Sequence, residues 1–370
     1  KTLWKGSKGA KDLGSYLTFG DLYIINKAPK SVTDYQRRLS LSQAVGQVDY
    51  TVGTTHYTRE YLASYPDGVI AIHYRATGAE GIHVGLQLIN GQGGQTATYT
   101  TEGASFADQV ANGMHFRAAL SVEQQGGTVT LNGREIVIEG AHEMTLYLTC
   151  GTDFDPLQPN HLTGDAAALE QQLAAHLTAT KAKGYEAVRA DHVADYQQLF
   201  HRVKLYLPQA RNSVVTPTLL QRTTPEAQAM VDALIFQYGR YLAIASSRGV
   251  SLPSNLQGIW CKDGTPKSDA VWASDIHSNV NVQMNYWPVE PTNLSELHMP
   301  FLEYIRNEAT RSGGTWQQNA RDLGAQHGWV VNTAGNIFGG SSNYKLGKYS
   351  VANAWYCQHL WQHFTYTRDT

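Results

Sequence analysis

The fold turns on residues 165–200, "DAAALEQQLAAHLTATKAKGYEAVRADHVADYQQLF". Leu169, Leu173 and Leu177 lie four apart, and Tyr185, Val188, His192, Tyr196 and Leu199 follow at steps of three and four. That is the period of an α-helix. Gly184 interrupts it, which predicts two helices. Everything before Asp165 reads differently. "YLTFGDLYIIN" (16–26), "GVIAIHYRAT" (68–77) and "EMTLYLTC" (143–150) are rich in β-branched and aromatic residues, the composition of strands. "GTVTLNGREIVIEG" (127–140) reads as a hairpin. Asn132-Gly133 suits a two-residue turn, and Val129, Leu131, Ile136 and Ile138 alternate around it. Many short strands without interleaved helices predict a β-sandwich. After the helical stretch, "VKLYL" (203–207) is read as a strand returning to the sheet.

Downstream the chain stays helical. Thr224-Pro225-Glu226 opens a helix with a capping hydroxyl, a proline at the first helical position and an acid in the first turn. Met230, Leu234, Tyr238, Tyr241, Leu242 and Ala245 then form one apolar stripe, ending near Gly249. Asn293 and Glu296 read as a capping box for the next helix. A further helix is expected over "RDLGAQ" (321–326), and a last one from about Ser350, carrying Trp355, Leu360, Trp361 and Phe364. The predicted order is a β-sandwich over 1–155, a helical linker with its return strand over 156–215, and a helical domain over 216–370. No internal repeat of solenoid period is present.

The 370 residues are 42% hydrophobic and 16% charged, with a net charge of -2. That balance argues against a nucleic-acid partner and a polybasic membrane patch. No apolar run is long enough to span a bilayer. Cys150, Cys261 and Cys357 form no zinc, redox or disulfide pattern.

The longest loop, Gly249 to Asn293, is where chemistry is expected. It holds "LPSNLQGIW" (252–260) and "DIHSNVNVQMNYWP" (275–288). Asp275, His277, Asn279 and Asn281 fall on every second residue, so an extended chain would put a carboxylate, an imidazole and two amides on one face. With Asn255, Gln257, Trp260, Asn285 and Trp287 this makes a set suited to sugars. Amides both donate to and accept from hydroxyls, and ring faces pack on C–H surfaces. Asn255 and Gln257 either touch substrate or staple the loop, and Trp260, Trp287 and Trp355 are either platforms or core. Metal binding fits less well, because no His/Asp/Glu pair has the helical spacing of a metal site. "GGTW" and "FGG" lack the flanking strand and the Lys-Ser/Thr of a phosphate loop.

"RYLAIASSRGVSLPSNLQGIW", "NVNVQMNYWPVEPTNLSE", "HGWVVNTAGNIFG" and "NAWYCQHLWQHFTYTRD" together resemble glycoside hydrolase family 95, the inverting 1,2-α-L-fucosidases and their α-L-galactosidase relatives. "YQRRLSLSQAVGQVDYTVGTTHYTREYLASYPDGVI" and "DYQQLFHRVKLYL" extend the likeness through the β part and linker. The resemblance implies a multidomain β + α architecture: an N-terminal β-sandwich lacking its first strands, a helical linker, and the first part of an (α/α)6 toroid. It implies release of L-fucose from α-1,2-linked fucosides of a glycan, by a secreted or periplasmic enzyme without a cofactor.

Inverting glycosidases need an acid for the leaving oxygen and a base to activate water. In the family a Glu is the acid, and an Asn-x-Asn pair polarised by an Asp holds the water. That pair matches Asn279 and Asn281, and His277 matches a sugar-contacting position. The acid and base match nothing in these residues and are expected further along the family's toroid, so the remainder of the chain is expected to complete it. Glu296 is read as a cap, Glu303 as a solvated face, and Glu290 as standing behind the substrate contacts. Asp275 is either a partner of His277 or a turn cap, and Trp329 and Asn332 are loop residues of open role. An α-L-galactosidase, a disaccharide phosphorylase and a non-catalytic carbohydrate binder are the alternatives.

Overall fold

The computed structural model describes residues 3–5, 15–27, 31–210, 214–249, 252–260, 271–341, 349 and 351–369. Cys261 lies outside them. Two short strands, β1 (Leu3–Lys5) and β2 (Ser15–Leu17), pair antiparallel. Twelve more follow: β3 (Gly20–Asn26), β4 (Thr33–Ser40), β5 (Val45–Val52), β6 (Thr55–Ser64), β7 (Val69–Thr77), β8 (Ile82–Asn90), β9 (Thr98–Thr100), β10 (Gly103–Gln109), β11 (His115–Gln125), β12 (Thr128–Leu131), β13 (Ile136–Ala141) and β14 (Glu143–Thr152). They build an eight-stranded sheet, β4-β5-β6-β7-β14-β11-β10-β9, and a four-stranded one, β12-β13-β8-β3. Leu86, Ile136 and Ile138 of the small sheet share one core with Phe116, Leu120 and Leu146 of the large one. This is the sandwich the sequence predicts.

The helical stretch also forms as expected. Helix α1 (Ala166–Lys183) is capped by Asp165, whose carboxylate accepts from the Ala168 N–H at 2.8 Å. Gly184, at φ 77°, separates it from α2 (Tyr185–Phe200). Val188 and Tyr185 of α2 pack with Val45, Leu62, Ala71 and Tyr147 on the outer face of the large sheet. Two-sided burial explains why β7 and β14 are near-continuously apolar although antiparallel strands usually alternate.

Three local readings fail here. In the β12–β13 hairpin, Asn132 and Glu135 exchange backbone hydrogen bonds of 2.9 and 3.2 Å. The two central residues are therefore Gly133 and Arg134, with Gly133 supplying the left-handed φ of 59°. The return strand at 203–207 is absent: those residues join no ladder. The Val203 carbonyl instead accepts from Arg240 Nη1 at 3.1 Å and Gln237 Nε2 at 3.3 Å. Asn293 and Glu296 form no capping box, since Glu296 pairs with Arg202 at 2.8 Å and Asn293 adopts φ 57°.

After a single turn, α3 (Thr216–Leu219), comes α4 (Pro225–Ser246), capped by Thr224 as predicted. Its burial differs from the predicted stripe. Ala227, Arg240 and Ile244 are buried. Met230, Leu234, Tyr241 and Leu242 are half-buried, and Tyr238 and Ala245 are exposed. The helix packs on α2 along one side only. Arg240 is central to that contact. Its guanidinium donates to the carbonyls of Leu199, Phe200 and Val203 at 2.7–3.1 Å, satisfying acceptors that the end of α2 leaves open.

The rest of the helical region comprises β15 (Ile276–His277), α5 (Asn281–Tyr286), α6 (Met299–Thr310), α7 (Thr315–Asp322), β16 (Ala334–Gly335) and α8 (Ala352–Thr367). Helix α7 begins earlier than "RDLGAQ" because Trp316 is its buried anchor, while Leu323 is 69% exposed. Phe301, Tyr304, Trp316 and Tyr356 form the core of this layer. Helix α8 turns Tyr356, His359 and His363 inward and leaves Trp361 66% exposed.

Candidate active site

The polar loop is assembled on a two-residue ladder. Ile276 pairs with Gly335 and His277 with Ala334, so the "HGWVVNTAGNIFG" segment braces "DIHSNVN". The extended geometry stops at His277. Residues 278–280 turn, and α5 starts at Asn281. The expected single face of four polar groups is thus divided. Asp275 and His277 belong to the ladder end, Asn279 to the turn and Asn281 to the helix start.

The turn is held at a conformation few residues adopt. Val280 has φ 129°, costly for a β-branched side chain and maintained only where neighbours over-determine it. They do so here. Ser278 N–H donates to the Thr333 carbonyl at 2.6 Å, and its hydroxyl meets Tyr356 Oη at 2.6 Å. Gln283 accepts from the Val280 N–H at 3.1 Å and donates to the Ser278 carbonyl. Asn279 is exposed at the tip and Asn281 half-buried.

His277 Nδ1 lies 3.0 Å from Asp275 Oδ1. Asp275 is thereby a partner of His277 rather than a turn cap. A carboxylate on Nδ1 keeps the proton there and leaves Nε2 for other company. Burial pushes the Asp275 carboxyl up, and the His277 hydrogen bond opposes it. The Trp272 ring meets His277 edge-on at 6.2 Å. Trp287 and Trp355 come together with ring centres 6.4 Å apart, Trp287 being 45% exposed.

Other singled-out residues lie in the loops around this turn. Asn255 is buried, and its amide oxygen accepts from the Gln257 N–H at 3.0 Å and the Ser274 hydroxyl at 3.2 Å. Asn285 donates to the Asn255 carbonyl at 2.9 Å. Both amides staple the loop. Gln257 keeps a half-buried side chain. The Trp260 ring folds over Gly258, where an added Cβ would come within 2.7 Å of it. Trp329 stacks on Trp316 at 5.3 Å, and Asn332 is buried. Glu303 stays half-buried on α6.

Two contributions had no local signal in the sequence. Tyr16, on β2, is buried against this loop, bonded to Asn255 and near Asp275; burial drives its hydroxyl pKa far up. The two-stranded sheet that precedes the sandwich thus forms part of the site's floor. Tyr286 is the other: its hydroxyl takes the Ser254 N–H at 2.8 Å and meets Ser247 Oγ at 2.7 Å.

Glu290 is fully buried beyond the end of α5. It belongs to a buried cluster with His298, His359 and His363. Burial raises its carboxyl, but hydrogen bonds from His298, Ser295 and His363 outweigh that and hold it at about 2. Burial, then the neighbouring His298, brings His359 down to about 3. The sequence reading overlooked one pair: His359 and His363 stand one helical turn apart on α8.

An antiparallel sandwich feeding a partial (α/α)6 toroid, with polar loops gathered at the helix ends, is the architecture of a class of carbohydrate-active enzymes. The match to the glycosyl hydrolase family 95 catalytic domain over residues 184–370 places this chain in that family. Residues 2–157 match the family 65 N-terminal domain. The chain is 31% identical to "Probable alpha-fucosidase A" of Aspergillus niger, covering 96% of this chain and 46% of that protein. It is 30% identical to "Alpha-L-fucosidase 2" of Arabidopsis thaliana, covering 96% and 45%. The chain therefore spans about half the length of these curated relatives. A human-microbiome protein described as a kojibiose phosphorylase superposes with a TM-score of 0.64 at 10% identity, over 100% of this chain and 50% of that one; this is a likeness of fold. Among the described residues no helix is long and apolar enough to cross a membrane.

Proposed function

We propose that the protein hydrolyses α-L-fucosides with inversion, releasing L-fucose from α-1,2-linked glycans in a secreted or periplasmic setting. The observation that carries this reading is the pinned turn at Ser278–Asn281, where strained Val280 lies between Asn279 and Asn281 just after His277. Strain of that kind is retained where a side chain must be aimed. An amide carbonyl orients a water by accepting its proton in a hydrogen bond, and a carboxylate on the amide's NH2 makes that oxygen more negative. An amide does not take the proton itself, so a carboxylate base and a carboxylic acid complete the reaction. The buried acids described here are committed elsewhere: Asp275 to His277, Glu290 to His298 and His363, and Glu308 to His161 and Arg311. In this scheme His277 binds a sugar hydroxyl through Nε2, and Trp287 and Trp355 offer a ring ledge to the glycan.

The test is steady-state kinetics of the full-length protein on nitrophenyl α-L-fucoside, without phosphate. Asn279→Ala and Asn281→Ala should each lower kcat about 100-fold or more while KM moves severalfold at most, the pattern of groups acting in the transition state. Near-normal turnover in both variants would remove the water-positioning role. Faster turnover of the matched α-L-galactoside would reassign the sugar.

A further inference from the structure

Helix α8 turns two imidazoles, His359 and His363, inward alongside Tyr356 and leaves Trp361 exposed, an unusual share of polar groups for the buried face of a helix. The inward groups meet Glu290. One carboxylate oxygen, Oε1, lies 2.8 Å from His298 Nδ1 and 2.7 Å from His363 Nδ1. The other accepts from Ser295 Oγ at 2.6 Å. The side chains of Glu290 and His298 are 0% exposed, and that of His363 10%. Among the described residues, no Lys or Arg pairs with this carboxylate. A buried anion without a fixed cation is expensive and calls for positive charge at the site.

Either a proton on an imidazole or a metal ion would supply it. The geometry points to the metal. Glu290, His298 and His363 each offer a ligand atom within 4.8 Å of the other two, and Glu290 Oε1 is shared by the two Nδ1 atoms. Donors about 2.0–2.2 Å from a tetrahedral ion stand roughly 3.3–3.5 Å apart, so each imidazole would draw back from Glu290 by about 0.5–0.8 Å to seat one. His298 has the outer partner a ligating histidine needs, since its Nε2 meets His359 Nδ1 at 2.9 Å; His363 Nε2 faces Asp369 at 3.7 Å, beyond a direct hydrogen bond. Two imidazoles and one carboxylate suit a borderline divalent ion of the Zn²⁺ class better than a hard one. We propose that Glu290, His298 and His363 form a three-residue binding site for one such ion, its fourth position left to water, joining the segment after α5 to α8. His359 acts behind them, by orienting His298.

The experiment uses the full chain after chelator treatment, with Co²⁺ as the probe. One Co²⁺ per chain is expected, with the visible absorption of a tetrahedral site, displaced by Zn²⁺. Glu290→Gln and His363→Ala should weaken binding about 100-fold, and His359→Gln roughly 10- to 100-fold, as for an outer partner. If the variants fail to fold, the unmodified protein still decides: Zn²⁺ should raise the thermal midpoint of chelated protein by several degrees. No visible bands, equal loading of all variants, or a midpoint indifferent to Zn²⁺ would overturn the site and leave a proton as the balancing charge.

Discussion

At the scale of single residues, the site depends on neighbours that hold functional side chains in place. Asp275 touches His277 and is itself buried. Asp275→Asn keeps its shape but removes the charge that fixes the imidazole's tautomer. We expect kcat/KM to fall roughly tenfold to a hundredfold with the melting temperature nearly unchanged, because an amide still fills the space. Paired kinetics and thermal melts would check this; unaltered kcat/KM would make Asp275 purely structural. This residue also shows how much was readable. Its spacing from His277 was visible in "DIHSNVN", and so was the Asn-x-Asn pair. The turn that separates them was not, because the alternation rule assumes an extended chain. Here Ser278 and Gln283 reach Tyr356, Thr333 and the Ser278 carbonyl, ending the strand at His277. No local pattern announces tertiary partners that distant.

At the scale of elements, the capped starts of α1 and α4 and the break at Gly184 were legible because each rests on chemistry within a few residues. The burial of α4 was not. Its apolar period was real, but the buried guanidinium of Arg240 holds the helix on α2. Arg240→Leu should cost about 2–4 kcal/mol in urea unfolding, since three carbonyls at the end of α2 lose a charged donor. A loss within error would make that contact dispensable. Helix α2 predicts a pH effect as well. His192 is buried, with Nε2–H donating to the Gln43 and Ala44 carbonyls at 3.0 and 3.2 Å. Burial lowers its pKa from the ordinary 6.5, against the pull of those carbonyls. The unfolded chain therefore binds a proton that the native state resists, and stability falls as pH drops below about 6.5. His192→Gln keeps a donor without the titration, so its melting temperature should decline less steeply between about pH 7 and 5. Parallel slopes would assign the acid sensitivity elsewhere.

At the scale of the whole molecule, the N-terminal β region and the helical layer meet at the site. Tyr16 comes from β2, Asn255 from the loop after α4, and the Asn279–Asn281 turn from the helical layer. His161, beyond the last sandwich strand, bonds Glu308 of α6 at 2.9 Å, and Arg311 reaches the Pro156 and Gln158 carbonyls. Such a joint fixes α6 relative to the segment that leaves the sheet. The order of domains was plain from where period two gives way to period 3.6, whereas contacts across more than 100 residues left no trace in local sequence. The central claim is that this arrangement delivers water to the face of the sugar opposite the leaving group. Proton NMR of the full-length protein cleaving an α-L-fucoside tests it directly, by identifying the anomer present before mutarotation. The account predicts that β-L-fucose appears first. First appearance of the α-anomer would mean retention through a covalent intermediate, and would contradict it.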